Sequence, residues 1–228
     1  PKIIHQSSAT GMQAIPTTGI AMGIKFKEKT SLEKPKKNFE PVVVCSMGDA
    51  SITDGEVAEA FQMASLKQLP ILFLVQDNEW DISAYSDETR VCNAHEYSKG
   101  FGLESYSIDG TNFIKCFNTV EKILKKIRKD RKPVILHAKV PLLNHHTSGV
   151  RMEWYRDDID ESKKRDPFPK LRKELVKINV KNAYLNEVFE KQKKIINDQY
   201  SKAVAADDPK PECIFDNIFA ENEIKEEK

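Results

Sequence analysis

The sequence lacks several patterns that would assign it to a common functional class. Neither the phosphate-binding pattern G-x-x-x-x-G-K-[ST] nor the dinucleotide pattern G-x-G-x-x-G is present, which argues against ATP, GTP or a nicotinamide dinucleotide as the ligand. The net charge is only +1 in 228 residues, so charge gives no case for nucleic-acid binding. Because no run of about eighteen apolar residues occurs, no membrane-spanning helix is predicted.

Cysteine is also scarce and widely spaced. The four cysteines form no C-x-x-C pair, so neither a zinc site nor a dithiol redox site is indicated. Cys45 stands in an apolar run and is predicted to be a small core residue. Reduced thiols are the simplest interpretation, and together with the absence of a signal-like start they favour a cytoplasmic location.

The length suits one α/β domain with an appendage. Apolar runs and helical spacing predict, in chain order, the end of a helix over 19–26, a strand over 41–45, a helix over 55–68, a strand over 71–75, a helix over 94–99, a strand over 103–108, a helix over 113–129, a strand over 133–140, and helices over 170–178 and 183–206. This alternation predicts a mostly parallel sheet flanked by helices, with a C-terminal helical extension. We expect a domain over 1–165, the extension over 166–206, and a linker or flexible tail over 207–228. The lysine-rich stretch 25–37 is expected to be a solvated loop.

Two short polar motifs follow neighbouring strands of this predicted sheet. Met47-Gly48-Asp49-Ala50 ends the first strand, and Asp77-Asn78-Glu79-Trp80 ends the next. Ligands of open parallel sheets bind at the carboxyl ends of strands, so the placement indicates a site. Taken alone, Asp49 would more often cap a turn or the following helix.

The oxygen atoms of these motifs suit a magnesium ion that holds a diphosphate. Magnesium is usually bound by one or two protein groups together with phosphate oxygens and water. Asp49 offers a carboxylate, Asn78 an amide oxygen and Trp80 a backbone carbonyl. The predicted helix beginning near residues 54–55 offers unpaired N–H groups for an anion.

The string GDASITDGEVAEAFQMASLKQLPILFLVQDNEWDIS resembles the alpha part of the decarboxylating component of thiamin diphosphate-dependent 2-oxo acid dehydrogenases. Two further segments agree with that family. Residues 7–16 resemble the loop that contacts the aminopyrimidine, and residues 144–148, followed by Tyr155-Arg156, resemble the histidine loop. The resemblance covers residues 3 to 175, and it is most similar to branched-chain versions in which alpha and beta parts are fused.

The resemblance implies thiamin diphosphate and Mg²⁺ as cofactors and oxidative decarboxylation of a 2-oxo acid, with a branched-chain acid as first choice. It implies Asp49, Asn78 and Trp80 as metal ligands, and His146 as the catalytic candidate. The cofactor contacts that it implies are Ser8, Thr10, Gly48, Asp49, Ala50, Ser51, Gln76, Asn78 and His146. Pyruvate or acetoin dehydrogenase, a transketolase-like enzyme and a non-catalytic α/β assembly module are the alternatives.

Several residues depart from the family pattern or allow a second interpretation. Ala50 stands where a third glycine is usual, and Asp77 replaces the first of two asparagines. Asp77 therefore adds negative charge beside the proposed ion, or bonds to backbone N–H groups instead. Residues 149–151 lack the acidic side chains that are common after the histidine loop, so no phosphorylation control is inferred. The alternative for His145 and His146 is that they are surface loop residues or one satisfied buried imidazole. Arg151 and Arg156 could pair with phosphate, a carboxylate or a neighbouring chain.

The family resemblance also implies partners. They are a beta part, fused or separate, a lipoyl-bearing acyltransferase core and a 2-oxo acid substrate, within a homo- or hetero-oligomer. No nucleic acid and no membrane partner are expected. We expect the chain to be the cofactor-diphosphate half of a longer protein and to end near the alpha–beta junction. By itself it should bind cofactor weakly and be inactive.

Overall fold

The computed structural model describes residues 3–4, 8–30 and 40–216, so Ser7, most of the lysine-rich stretch and the end of the tail lie outside the described residues. The chain divides into two compact units, Pro1–Glu174 and Leu175–Lys228. The strands are Val43–Gly48 (β1), Ile71–Asp77 (β2), Trp80–Asp81 (β3), Ala84–Tyr85 (β4), Glu104–Asp109 (β5) and Val134–Lys139 (β6). The helices are Ala14–Thr30 (α1), Gly55–Lys67 (α2), Ser86–Thr89 (α3), Ala94–Tyr97 (α4), Phe113–Asp130 (α5), Ile159–Lys164 (α6), Pro167–Lys177 (α7) and Asn182–Val204 (α8). Short 3-10 helices occupy Ala50–Thr53, Ser98–Phe101, Met152–Trp154 and Pro211–Phe215.

The first unit is built on a four-stranded sheet in the order β1-β2-β6-β5, and all its pairings are parallel. Its strands are rich in β-branched and aromatic residues that fit a pleated surface. Helices connect β1 to β2 and β5 to β6, as parallel pairing requires. All four carboxyl ends therefore meet at one edge of the sheet, and the predicted α/β class is confirmed.

Apolar side chains of the sheet alternate between two faces and form two cores. On one face Phe73 and Cys45 pack against α1, α2 and α4, and the ring of Phe61 lies 4.9 Å from that of Phe73. On the other face Leu72 and Leu136 pack against α5. The sheet is thus the middle of three layers, and the prediction that Cys45 is a core residue is confirmed.

Most predicted elements are present, with shifted ends. The first strand lies at Val43–Gly48 instead of 41–45, and α1 spans Ala14–Thr30, whereas the sequence indicated only 19–26. The hairpin of β3 and β4 and the short helices α3 and α6 were not predicted. Helix α5 begins where Asn112 accepts a hydrogen bond from the backbone N–H of Lys115, and it ends at Arg131 in a left-handed conformation.

The second unit contains α8 and the last 3-10 helix, Pro211–Phe215, and none of the residues of α8 is buried. The domain boundaries expected from the sequence remain a prediction.

No helix in the described ranges is both long and apolar enough to cross a membrane.

Gly11, in the loop before α1, occupies a position that favours glycine. Its φ is +79°, and a Cβ atom there would lie 2.6 Å from Oδ2 of Asp54. We expect Gly11→Ala to lower the free energy of unfolding by about 1–3 kcal/mol, because left-handed strain adds to the clash. Urea unfolding of the full chain measures the change.

Gly19 supplies the matched control. It lies inside α1, and a Cβ atom there would meet nothing within 4 Å. Gly19→Ala should raise the free energy of unfolding by roughly 0.5–1 kcal/mol, because alanine favours helix interiors. Equal effects of the two substitutions would contradict this assignment of Gly11.

Candidate functional site

Asp49 and Asn78 meet at the carboxyl edge of the sheet, as their positions after β1 and β2 predicted. The backbone N–H of Asn78 donates to Oδ1 of Asp49 at 3.2 Å. Asp49 is only 2% exposed, whereas Asn78 is half-buried. A carboxylate so deeply buried requires compensation by a positive charge, which makes this edge the centre of the candidate site.

The segment from Asp77 to Trp80 is held by two side-chain turns. Oδ1 of Asp77 accepts a hydrogen bond from the N–H of Glu79 at 3.0 Å, and Oδ1 of Asn78 accepts one from the N–H of Trp80 at 2.9 Å. Glu79 itself has a φ of 69°, an uncommon conformation for a residue with a side chain. The carboxylate of Asp77 thus accepts a hydrogen bond from one backbone N–H group, which is the kind of contact that one of its two interpretations proposed.

Arg90 is the functional candidate that the sequence did not reveal. It lies just after α3, and its guanidinium contacts both carboxylates, with Nη2 paired to Oδ2 of Asp49 and 3.1 Å from Oδ1 of Asp77. Its side chain is only 6% exposed. Among the described residues, Nη1 of Arg90 has no hydrogen-bond partner. The guanidinium therefore keeps donors with which it could bind a further anion.

The charges at this edge perturb both aspartates in opposite directions. Burial and the neighbouring Asp77 raise the pKa of Asp49 to about 6, although Arg90 opposes the rise. Burial also acts to raise the pKa of Asp77, but a hydrogen bond from His137 and the charge of Arg90 lower it below the ordinary value. A bound cation would relieve the cost of ionising Asp49.

The predicted cofactor contacts next to Asp49 lie at or near the same edge. Gly48 ends β1 and is exposed, and Ser51 is buried in the 3-10 helix that follows Asp49. Ala50 is absent from the described residues with positive φ, so alanine is accommodated where the family has glycine. Oε1 of Gln76 accepts a hydrogen bond from the hydroxyl of Ser46 at 2.9 Å.

The loop that was predicted to contact the aminopyrimidine reaches this edge through one side chain. Nε2 of Gln13 donates to the carbonyl of Ser46 at 3.2 Å. Oε1 of Gln13 is buried and has no hydrogen-bond partner in the described chain. Ser8 and Thr10 are exposed.

The start of α2 is a poor anion site, contrary to the sequence-based expectation. Asp54 precedes the helix, and burial together with the charges of Glu56 and Asp81 raises the pKa of Asp54. The carboxylate of Asp54, and the negative charges that act on it, therefore disfavour a further anion at this helix N-terminus.

The histidine loop is tied to the segment from Asp77 to Trp80 through the side chain of Trp80. The buried indole of Trp80 packs 5.3 Å from the ring of Tyr155, and the guanidinium of Arg156 lies 5.3 Å from the indole centroid. Arg156 also makes a bidentate pair with Asp158 at 2.8 Å and donates to the carbonyl of Leu142 at 2.8 Å. Of the three partners that the sequence allowed for Arg156, the structure therefore shows a carboxylate. The contacts of Arg156 hold the loop in place.

The two histidines of that loop are both exposed. Nδ1 of His145 accepts a hydrogen bond from the N–H of Met152 at 3.1 Å, so His145 orders the loop itself. The described contacts of Asp49 and Asn78 do not include His146. The structure thus brings Asp49, Asn78 and Trp80 together, and the role of His146 stays a prediction.

The residues at this edge fit a magnesium diphosphate. The described residues contain no cluster of three or more carboxylate, imidazole or thiolate groups that could bind a metal by themselves. One buried carboxylate, one amide and one carbonyl leave half of an octahedron to be completed, which suits a cation that arrives with phosphate oxygens. The unpaired donor of Arg90 suits the same anion.

Comparison with known proteins agrees with this geometry. The sequence profile of the family described as "Dehydrogenase E1 component" matches residues 1–212. The pyruvate dehydrogenase E1 component subunit alpha of Rickettsia prowazekii (strain Madrid E) is 26% identical over 170 residues, which are 74% of this chain and 49% of that protein. The 3-methyl-2-oxobutanoate dehydrogenase subunit alpha of Mycobacterium tuberculosis (strain CDC 1551 / Oshkosh) is 25% identical over 215 residues, or 92% of this chain and 56% of that protein. The chain therefore spans about half the length of the curated relatives it matches.

A solved structure shows a similar fold. Transketolase from Campylobacter jejuni superimposes with a TM-score of 0.50 at 21% identity, and the match covers 59% of this chain and 20% of the transketolase chain. At this identity the similarity concerns the fold alone.

Proposed function

This chain belongs to the dehydrogenase E1 component family, and we propose that it acts as the alpha part of a thiamin diphosphate-dependent 2-oxo acid dehydrogenase. The observation that carries the proposal is the buried pair of Asp49 and Arg90 beside Asn78, at the carboxyl edge of a parallel sheet. A buried carboxylate next to a guanidinium with an unpaired donor supplies opposite charges for a cation and a diphosphate.

Each residue has a defined task in this proposal. Asp49, Asn78 and the carbonyl of Trp80 hold the Mg²⁺ ion, and Arg90 binds a diphosphate oxygen. The other predicted cofactor contacts, Gly48, Ala50, Ser51 and Gln76, shape the surface beside the diphosphate. Ser8 and Thr10 lie in the loop assigned to the aminopyrimidine, and exposed His146 is assigned to the reacting end of the site.

The bound cofactor would supply a nucleophilic carbon for the 2-oxo group and a cationic ring that accepts the electron pair released when carbon dioxide leaves. The protein fixes the pose of the cofactor and excludes water from its charged end. Trp80 serves both purposes, because its indole is packed on Tyr85, Tyr155 and Arg156 while its backbone continues from the Asn78 turn. The acyl fragment is then expected to pass to a lipoyl group on an acyltransferase core, with a beta part completing the site.

Branched-chain 2-oxo acids are the proposed substrates, and pyruvate is the main rival, since relatives of both kinds match the chain. The test is turnover of 3-methyl-2-oxobutanoate, pyruvate and acetoin by the full-length protein together with its beta part, with lipoamide as acceptor. We expect turnover that requires both thiamin diphosphate and Mg²⁺ and is fastest with 3-methyl-2-oxobutanoate.

Each alternative has its own outcome in this assay. Preference for pyruvate or acetoin would change the substrate but keep the enzyme class. Transfer of ketol units to a sugar phosphate without lipoamide would favour a transketolase-like enzyme. If the cofactor and Mg²⁺ fail to raise the Tm of the complete assembly, a non-catalytic assembly module is favoured.

A further inference from the structure

A row of hydrogen-bonded side chains crosses three neighbouring strands of the sheet. The hydroxyl of Ser107 on β5 lies 2.9 Å from Nδ1 of His137 on β6, and Nε2 of His137 lies 2.7 Å from Oδ2 of Asp77 on β2. The other oxygen of Asp77 contacts Arg90, which also contacts Asp49. The row therefore connects Ser107, an exposed residue, with the carboxylate that is proposed to bind the metal.

The sheet register explains why these side chains meet. His137 stands opposite Ser107 on β5 and opposite Val75 on β2, so Asp77 is its diagonal neighbour on the same face. That face carries the core of α1, α2 and α4, and His137 is 0% exposed. Both ring nitrogens are used: Nε2 faces a carboxylate and must carry a proton, and in the neutral ring Nδ1 accepts a hydrogen bond from the hydroxyl of Ser107.

The hydrogen bond from His137 restricts the orientation of Asp77. With Oδ2 bound to the imidazole, Oδ1 remains to receive Arg90 and the N–H of Glu79. Without the imidazole, Oδ2 of Asp77 would be a buried acceptor lacking its partner, and the carboxylate could rotate away from Arg90. An asparagine at position 77 would carry no charge and would depend less on the histidine.

We propose that His137 is a positioning residue that allows an aspartate at position 77 and, through Asp77, orients Arg90 for the diphosphate. This inference rests on the proposed function, because the group that Arg90 binds is taken from it. His137 itself touches neither the cation nor the diphosphate. Its effect must therefore depend on the presence of Asp77.

A double-mutant cycle tests that dependence. In the full-length protein with its beta part, His137→Phe should raise the Kd of thiamin diphosphate in the presence of Mg²⁺ by about 10- to 100-fold, the usual effect of an outer-shell partner. When Asp77→Asn is already present, His137→Phe should raise the Kd by no more than about 3-fold, because there is then no carboxylate at position 77 for His137 to orient. Calorimetric titration with the cofactor measures all four values.

Two further variants control the cycle. His137→Gln keeps an N–H donor and should retain a Kd within about 3-fold of the wild type, which separates the hydrogen bond from packing. His95→Phe removes a histidine whose Nδ1 also pairs with a serine, Ser105 at 2.8 Å, but whose described contacts include no carboxylate. The Kd of thiamin diphosphate for His95→Phe should match that of the wild type.

A spectroscopic measurement reads the hydrogen bond without reference to activity. In the NMR spectrum of protein that contains isotope-labelled histidine, the Nε2–H proton of His137 should give a downfield, slowly exchanging resonance. The reason is that this proton is buried and hydrogen-bonded to a carboxylate. Asp77→Asn should shift this resonance and His95→Phe should leave it in place.

The outcomes separate the two proposals. If the wild-type protein binds no cofactor, both fail. If it binds cofactor but His137→Phe has the wild-type Kd, or has the same effect when combined with Asp77→Asn as it has alone, only the positioning role is overturned.

Discussion

Replacement of Asp49 by asparagine is expected to weaken the binding of magnesium and thiamin diphosphate by at least about 100-fold. Substitution of a residue that only contacts a metal ligand already lowers metal affinity by about 10- to 100-fold, and Asp49 is proposed to bind the metal directly. The substitution removes the only carboxylate among the three proposed metal ligands, and an amide binds magnesium less strongly. Calorimetric titration of the full-length protein with the cofactor and Mg²⁺ measures the loss. Asp81→Asn, at an exposed aspartate in the following hairpin, is the control and should bind normally. Undiminished binding by Asp49→Asn would remove Asp49 from the site.

The same substitution should stabilise the protein when no cofactor is bound. Burial and Asp77 raise the pKa of Asp49 to about 6, so the folded protein holds this proton more tightly than the unfolded chain. The resulting stability is present at pH values below the ordinary pKa of aspartate and is lost as the pH rises through about 6. At pH 7 the ionised carboxylate costs on the order of 3 kcal/mol, which asparagine avoids.

A pH titration distinguishes this effect from a general change of stability. Urea unfolding of the wild type without cofactor should show a fall in stability between about pH 4 and 6 that Asp49→Asn lacks. With Mg²⁺ and cofactor the wild type should bind more weakly below pH 6, because the proton and the cation compete for Asp49.

Replacement of Arg90 by leucine is expected to lower the free energy of unfolding by about 3–5 kcal/mol, the usual cost of breaking a buried ion pair. Two buried carboxylates, Asp49 and Asp77, would then face each other without the guanidinium between them. Urea unfolding at pH 7 measures the loss, and diphosphate binding should fall with it. Lowering the pH should reduce the defect, since protonation removes the unpaired charges.

Two comparisons make the Arg90 prediction specific. Lys163→Met breaks an exposed ion pair with Asp160 and should change the free energy of unfolding by less than about 1 kcal/mol. Asp77→Asn should recover part of the stability lost in Arg90→Leu, because it removes one of the two unpaired charges. A loss in Arg90→Leu no larger than that in Lys163→Met would show that the buried pair contributes little.

The fold and the centre of the site could be predicted because both depend on local patterns. The apolar runs of β1 and β2 and the helical spacing of α2 place Asp49 and Asn78 at neighbouring strand ends, and the structure joins them by a hydrogen bond. The hairpin of β3 and β4 was missed because strands of two residues are too short to show an alternating pattern.

Arg90 and His137 could not be assigned in the same way, because their roles arise from contacts distant in sequence. Arg90 follows a four-residue helix with no apolar periodicity, and its partners lie 41 and 13 residues away, a relation that only the folded sheet creates. His137 left one signal, because it is the single ionisable residue within the apolar run 134–138 of β6. A buried imidazole in such a run requires polar partners, and that reasoning could have identified it.

The central claim is that one cation, held by Asp49, Asn78 and the carbonyl of Trp80, fixes the diphosphate of thiamin at this edge of the sheet. Anomalous diffraction from crystals of the full-length protein grown with thiamin diphosphate and Mn²⁺ tests it most directly. The predicted result is a single anomalous peak about 2.0–2.3 Å from an oxygen of each of the three residues, in contact with the diphosphate. A cofactor bound without a peak there, or a peak held by other residues, would contradict the claim.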